Sequence, residues 1–323
     1  MLDGRGRSID YLRVSVTDRC NLRCVYCMPE DGVPSLRHGE ILRYEEIARV
    51  VRVMAGLGIR HVRLTGGEPM ARRGCLGLVR TLAETPGIES VSMTSNGLLL
   101  GERMDEAKRA GLRALNLSLD TLDAAAYARL TRGGSLSQAL SALDRALALG
   151  LSVKLNAVPV RGFNDDGLEA LASLAREKPV CVRFIELMPL GCARALRPVP
   201  EEEVLARLTD AFGPPEEDAA PHGHGPARYV RFPGFVGSVG FISPISCEFC
   251  ARCNRVRLTA EGQLKLCLNH AGGPDLRALL RGSADDAALA DAIRRAVAEK
   301  PARHAFDEEL GDREARRMNE IGG

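Results

Sequence analysis

Short β-type runs alternate with longer stretches of helical period along the first two-thirds of the chain, and this alternation constrains the fold more than any other feature. The β-type runs cover 11–16, 61–65, 91–94, 114–118, 152–158 and 182–187. Helical patterns follow at 45–57, 76–84, 101–110, 136–149 and 165–176, several closed by glycine, and another spans 201–212. Repeated β-then-α units predict an α/β fold with a parallel sheet and helices outside it. With six units the expectation is a partial (β/α)6 barrel of TIM type, two units short of the closed eightfold form.

The strands carry polar residues on one parity. Tyr11, Arg13 and Ser15 alternate with Leu12, Val14 and Val16, and Arg63 and Thr65 alternate with Val62 and Leu64. Ser92, Thr94 and Asn96 share a parity, as do Asn116, Ser118 and Asp120, and Ser152, Lys154 and Asn156. Apolar residues packed under helices leave this polar set facing the barrel axis. Burying Arg13, Arg63 and Lys154 unpaired costs several kcal/mol each, so the axis is expected to be a wet cavity that holds an anion such as a triphosphate.

After residue 212 the composition shifts. Residues 213–226, rich in Pro, Gly and acids, read as a linker, and His222 and His224 read as loop residues rather than metal ligands. The expected organisation is a barrel over 1–212, the linker, and a smaller C-terminal domain over 227–323 with a strand-rich start and two helical stretches.

Ten cysteines bear on the chemistry. Cys75, Cys181 and Cys192 are scattered and read as small buried hydrophobes. Cys20, Cys24 and Cys27 form Cys-x3-Cys-x2-Cys after the first strand, while Cys250, Cys253 and Cys267 group near the end. Such spacing favours metal over disulfide. Three thiolates can hold three irons of a [4Fe–4S] cluster and leave the fourth open. The second group also suits a zinc site with His270, and Cys247 is a further thiol nearby; spacing alone leaves iron–sulfur and zinc open. No apolar run reaches the roughly 18 residues of a membrane span, and Met1-Leu2-Asp3-Gly4-Arg5 does not open a secretory signal. A reducing cytosol is expected. A net charge of +2 argues against a global field for nucleic acid or membrane, although 39 of the 44 basic residues are Arg, which suits bidentate phosphate recognition.

The first cysteine triplet, together with Thr65-Gly66-Gly67-Glu68-Pro69 after the second strand, resembles the radical S-adenosylmethionine (SAM) superfamily. Glycine there lets the backbone approach a ligand closely. Gly240-Phe241-Ile242-Ser243-Pro244, Asn254-Arg255-Val256-Arg257-Leu258 and the terminal Gly322-Gly323 resemble one family within it, the GTP 3′,8-cyclases of molybdenum-cofactor biosynthesis. The resemblance covers essentially the whole chain and implies two [4Fe–4S] clusters, the second held by Cys250, Cys253 and Cys267.

By the same resemblance, Tyr26, Gly67, Ser118 and Met188 contact SAM, and Arg13, Arg63, Thr94, Lys154, Arg255, Val256 and Arg257 contact GTP. Arg13, Arg255, Arg257, Gly322 and Gly323 are implied to take part in catalysis, the last two as a tail inside the active site. Asn269 stands where many members carry an aromatic, and Cys247 lies outside the usual ligand set. The implied reaction begins with one-electron cleavage of SAM and ends in 3′,8-cyclo-7,8-dihydro-GTP. The implied partners are GTP, an electron donor and, as the next enzyme, cyclic pyranopterin monophosphate synthase, with room for a homodimer. The competing readings are a peptide-modifying radical SAM enzyme and a zinc-binding nucleotide or nucleic-acid module; 4% aromatics and no Trp give the latter little stacking surface.

Overall fold

Apolar parity builds the sheet. Leu12 and Val14, Val62 and Leu64, Val91 and Met93, Leu115 and Leu117, Val153 and Leu155, and Val182 and Phe184 all lie in one hydrophobic core beneath the helices. The computed structural model describes residues 1–247, 249–306, 314 and 316–322. The barrel strands are β1 (Tyr11–Ser15), β2 (His61–Thr65), β3 (Ser90–Ser95), β4 (Leu112–Ser118), β5 (Ser152–Ala157) and β6 (Cys181–Ile185). Their helices are α1 (Tyr44–Gly56), α2 (Cys75–Ala83), α3 (Met104–Arg109), α4 (Ala124–Thr131), α5 (Leu136–Ala148), α6 (Leu168–Glu177) and α7 (Glu201–Phe212). The sequence pattern missed α4, a short helix whose start is fixed by the Asp123 side chain accepting from the Ala126 N–H at 2.6 Å.

The remaining elements are β7 (Glu216–Glu217), β8 (Arg228–Arg231), β9 (Ser238–Ile242), β10 (Arg255–Leu258), β11 (Leu264–Lys265), α8 (Leu276–Arg281), α9 (Asp286–Ala298) and α10 (Met318–Ile321). Among the described residues the strands form one 11-stranded sheet in the order β11-β10-β1-β2-β3-β4-β5-β6-β9-β8-β7. From β10 through β9 every neighbour pair is parallel, and only β11, β8 and β7 at the margins run antiparallel. The result is an open barrel. The strands after residue 227 extend the barrel's own sheet on both flanks: β9 pairs with β6, and β10 pairs with β1 so that Arg255 lies beside Tyr11 and Arg257 beside Arg13.

The last described turn is tied to the barrel. Lys265, fully buried, pairs with Glu314, and Arg316 meets the same carboxylate at 2.9 Å. Arg257 Nη1 donates to the Gly322 carbonyl at 2.9 Å, and Asn319 Nδ2 donates to the Asp18 carbonyl at 3.3 Å. No helix among the described residues is long and apolar enough to cross a membrane.

The two faces of β4 should respond differently to truncation. Leu115→Ala opens a cavity in the core and is expected to cost about 2–5 kcal/mol of stability in a denaturant titration. Ser118→Ala, half-buried on the axial face where it lines the cavity, is expected to cost clearly less.

Candidate active site

The loop after β1 carries the first thiol triplet and is moulded onto the loop after β2 by main-chain hydrogen bonds. Gly67 N–H donates to the Thr17 carbonyl and Glu68 N–H to the Arg19 carbonyl, both at 2.8 Å. A Cβ on Gly67 would stand 2.3 Å from the Arg19 carbonyl oxygen, so only glycine permits this approach. The Glu68 carboxylate joins the next loop, accepting from Ser95 Oγ (2.9 Å) and Asn96 N–H (2.8 Å) as well as Met70 N–H (3.1 Å). Burial raises its pKa to about 7.

Around the thiols, Cys27 N–H donates to the Cys24 carbonyl at 2.9 Å, and Leu22 N–H points at Cys20 Sγ at 3.4 Å. Arg23 and Val25 N–H bond the last carbonyls of α4 at 3.1 and 2.9 Å, so the helix that the sequence pattern missed supports the cysteine loop. Burial, with mutual repulsion, lifts the thiol pKa values: Cys27 reaches about 12, and Cys24 rises well above the usual thiol range with Asp120 adding to the effect. Tyr26 donates its hydroxyl to Asp120 at 2.9 Å, and Val158 N–H meets the other carboxylate oxygen at 2.8 Å.

Inside the barrel is a cavity of about 260 Å³. Its walls include Arg13, Thr94, Ser118, Asn156, Arg255 and Arg257. Cys250, Cys253 and Cys267 line one side, and Tyr26, Met188 and Met318 also reach it. The second triplet lies among cations: Lys300 Nζ donates to the Arg255 carbonyl at 3.0 Å, and although burial opposes it, Lys300 and Arg255 bring the Cys253 pKa below its ordinary value. His270 is turned elsewhere, its Nε2 meeting the Arg303 carbonyl at 3.2 Å, and Cys247 is exposed; neither lines the cavity. Among the described residues no three His, Cys, Asp or Glu side chains converge on a single metal ion.

Several polar atoms on the walls are buried without a partner: Arg13 Nε, Thr94 Oγ1 and Arg255 Nε. Burial and the guanidiniums of Arg257 and Arg63 hold the Arg13 pKa well below its usual range, and Arg257 falls to about 10. Deeper along the axis lie Arg63, Lys154 and Arg183, which do not line the cavity itself. Arg63 Nε donates to Ser92 Oγ at 3.1 Å, and Arg183 Nε donates to Asn156 Oδ1 at 3.0 Å. With its amide oxygen turned toward the cations, Asn116 accepts from both Arg63 and Arg183.

Sequence reasoning missed Arg183, although Val182 and Phe184 mark its parity as the axial one. It also missed Lys300. Val256 is fully buried in the apolar core, so only its main chain faces toward β1. Gly322 sits at Arg257, whereas Gly323 lies outside the described residues. Cys181 is not a simple core residue, because its Sγ lies 3.1 Å from His222 Nδ1.

A radical SAM superfamily model matches residues 14–175, and a model described as Molybdenum Cofactor Synthesis C matches residues 180–306. The chain is 50% identical to the GTP 3′,8-cyclase of Pelotomaculum thermopropionicum and 49% identical to that of Moorella thermoacetica, each over the full length of both proteins. The chain belongs to the GTP 3′,8-cyclase family. Among solved structures, Streptococcus suis SuiB bound to S-adenosylmethionine superimposes with a TM-score of 0.59 over 94% of this chain and 64% of SuiB, at 14% identity. Methylornithine synthase gives 0.51 over 64% of this chain and 63% of its own, at 21% identity. These two share the fold.

Membership of the radical SAM superfamily implies SAM and an iron–sulfur cluster. The residues present fit both: three thiols lie within one hydrogen-bonded loop held against the β2 loop by the close approach at Gly67, and Tyr26, Ser118 and Met188 line the cavity beside it. Gly67→Ala should therefore push the cysteine loop away from the β2 loop. The expected outcome is loss of SAM binding by calorimetry and of iron at the first site after reconstitution, with far-ultraviolet circular dichroism unchanged.

Proposed function

We propose that this chain is a GTP 3′,8-cyclase that carries out the first step of molybdenum-cofactor biosynthesis with two [4Fe–4S] clusters, one on each cysteine triplet. The observation that carries this reading is a single cavity with a cysteine triplet on its wall, Tyr26 of the other triplet reaching it, and cations around it with unsatisfied donors. When bound, SAM and its cluster supply one-electron cleavage and a carbon radical able to abstract hydrogen.

The chain's own residues bind, orient and enclose. Arg13, Arg63, Lys154 and Thr94 hold the phosphates and sugar of GTP, so that C3′ stands near the SAM site. Arg255, Arg257 and the backbone at Val256 hold the nucleotide toward the second triplet. Tyr26, fixed by Asp120, and Ser118 and Met188 line the SAM end. The tail packs beside Arg257, which donates to the Gly322 carbonyl, and keeps water from the reacting atoms. One hydrogen leaves C3′, and an electron and a proton return after the C3′–C8 bond forms, so the product has the composition of GTP. The same reading places the enzyme in the cytosol with an external electron donor, with cyclic pyranopterin monophosphate synthase taking its product, and accommodates a homodimer.

Anaerobic incubation with GTP, SAM and a strong reductant tests the reading. The expected products are methionine, 5′-deoxyadenosine and a nucleotide of GTP's mass but different retention, from protein carrying about eight irons per chain. Recovery of unchanged GTP, or colourless protein holding zinc, would reverse it. In Arg63→Ala, GTP affinity should fall about tenfold or more while SAM cleavage persists.

Lys154 gives a separate readout. Burial, then Arg183 and Arg63, lower its pKa to about 7, so at pH 8 it is mostly neutral in the empty protein. A phosphate raises that pKa, and GTP binding at pH 8 should take up close to one proton, falling toward zero at pH 6 where the ammonium is already charged. Calorimetry in buffers of different ionisation enthalpy measures this, and Lys154→Met should abolish it.

A further inference from the structure

The segment at 213–226, which composition marks as a linker, folds back over the ends of the strands where they begin. His224 stacks on His61, the first residue of β2, with ring centroids 3.3 Å apart and planes within 12°. Asn254 Nδ2 donates to the His224 carbonyl at 3.4 Å. The His222 ring is held on three sides: Nδ1 faces Cys181 Sγ at 3.1 Å, Nε2 faces Asp218 Oδ2 at 3.0 Å, and the Tyr229 ring lies 4.1 Å away. Asp218 is fixed in turn by Arg231 and Ser238. A composition-poor linker would not need so many anchors.

What the turn covers is the deep end of the cation set. Lys154 Nζ donates to the main-chain carbonyl of His222. The groups acting most strongly on Lys154 and Arg63 are other cations, tyrosines and Cys181, with no carboxylate among them. A neutral carbonyl is thus the anion-like partner of Lys154. Gly223, at φ +91°, makes the approach possible, since a Cβ there would stand 2.9 Å from Nζ. Gly225 lies close to Arg183, where a Cβ would be 3.8 Å from Nη1. In a trans peptide the C=O and the following N–H point in opposite directions, so with the His222 carbonyl on Lys154 the Gly223 N–H points away. Among the described residues the N–H groups of Gly223, His224 and Gly225 have no hydrogen-bond acceptor.

We infer that the turn His222–Gly225 is a main-chain binding element for the terminal phosphate of the nucleoside triphosphate, engaged by reversal of the 222–223 peptide. The inference rests on Lys154 meeting the nucleotide's phosphates. A phosphate oxygen and the His222 carbonyl compete for one ammonium, and a charged acceptor forms the stronger hydrogen bond. Displacing the carbonyl turns the peptide over and brings the Gly223 N–H to the phosphate. Glycine tolerates both backbone conformations, and successive glycine-rich N–H groups form an anion-binding concavity. The side-chain anchors on His222 and His224 stay in place while the peptide between them reverses. The turn then measures phosphate-chain length: a triphosphate reaches it, and guanosine does not.

Hydrogen exchange of the 219–227 segment in the anaerobic holoenzyme with SAM tests this, with GTP, inorganic tripolyphosphate and guanosine as probes. The expected result is at least threefold slower exchange with GTP and with tripolyphosphate, none with guanosine, and loss of the effect in Lys154→Met. Gly223→Ala is expected to weaken GTP about tenfold and leave guanosine binding unchanged. Equal exchange with GTP and guanosine, in protein whose GTP affinity still depends on Lys154, overturns the inference and leaves the cyclase reading standing. Protection by tripolyphosphate in protein that does not bind GTP upholds the turn as a phosphate element and removes the nucleotide reading instead. Protection by neither polyanion overturns the inference outright.

Discussion

Uncompensated positive charge inside an open parallel barrel is the constraint from which the rest of the structure follows. Arg13, Arg63, Lys154, Arg183, Arg255 and Arg257 come from five strands of one sheet, and burial together with the charges of the set lowers the proton affinity of Arg13, Arg63, Lys154 and Arg257. A closed barrel fills its axis with branched apolar side chains. Here that filling is replaced by amides and hydroxyls, Asn116, Asn156 and Ser92, which accept from the guanidiniums without neutralising them. Charge kept in this state is costly to fold and is recovered only when an anion arrives. On the reading proposed above, that anion is the phosphate chain of the nucleotide.

Openness of the sheet is what lets the second half of the chain take part. In a closed eight-stranded barrel β1 and β6 would have no free edges, whereas here each accepts a further parallel strand from beyond residue 227. The pairing of β10 with β1 sets Arg257 beside Arg13 and brings the loop bearing Cys250 and Cys253 to the same cavity wall. The segment that looks separate in composition is thus continuous with the barrel in hydrogen bonding. Its C-terminal turn extends the same logic, because the Arg257 that faces the cavity also holds the Gly322 carbonyl.

Most of the barrel was legible because alternation and helical period are local signals. The run at 61–65 and the helix at 201–212 match their elements in full, and the axial set Arg13, Arg63 and Lys154 followed from parity alone. What escaped depends on contacts distant in sequence. Arg183 lies on a strand whose axial neighbours, Cys181 and Ile185, are not polar markers, so the parity that Val182 and Phe184 set stands out less than on the other strands, and the contacts to Asn156 and Asn116 make its direction plain. The role of 218–225 was hidden because Gly and Pro signal a turn but not what the turn touches. His270 illustrates the reverse: its spacing from Cys267 suits a ligand, yet its ring is spent on the Arg303 carbonyl. Gly323, the end of the expected tail, lies outside the described residues.

The two thiol triplets sit in opposite electrostatic surroundings, and this bears on why one enzyme would need both. Around Cys20 and Cys24 burial pushes the thiols up, with the carboxylates Glu68 and Asp120 adding to the effect and Arg23 opposing it at Cys20. Around Cys253 they are Lys300 and Arg255, and the thiol is pulled down. For a cluster at either place, carboxylates disfavour added negative charge and cations favour it. The first surroundings suit a strong one-electron donor. On the two-cluster reading proposed above, the second suit a centre that holds an electron-rich ligand against a positive wall. The charges that would divide these two tasks come from Glu68 after β2, Asp120 after β4, Arg255 on β10 and Lys300 after α9, so the division is written into the fold's topology rather than into the cysteine motifs themselves.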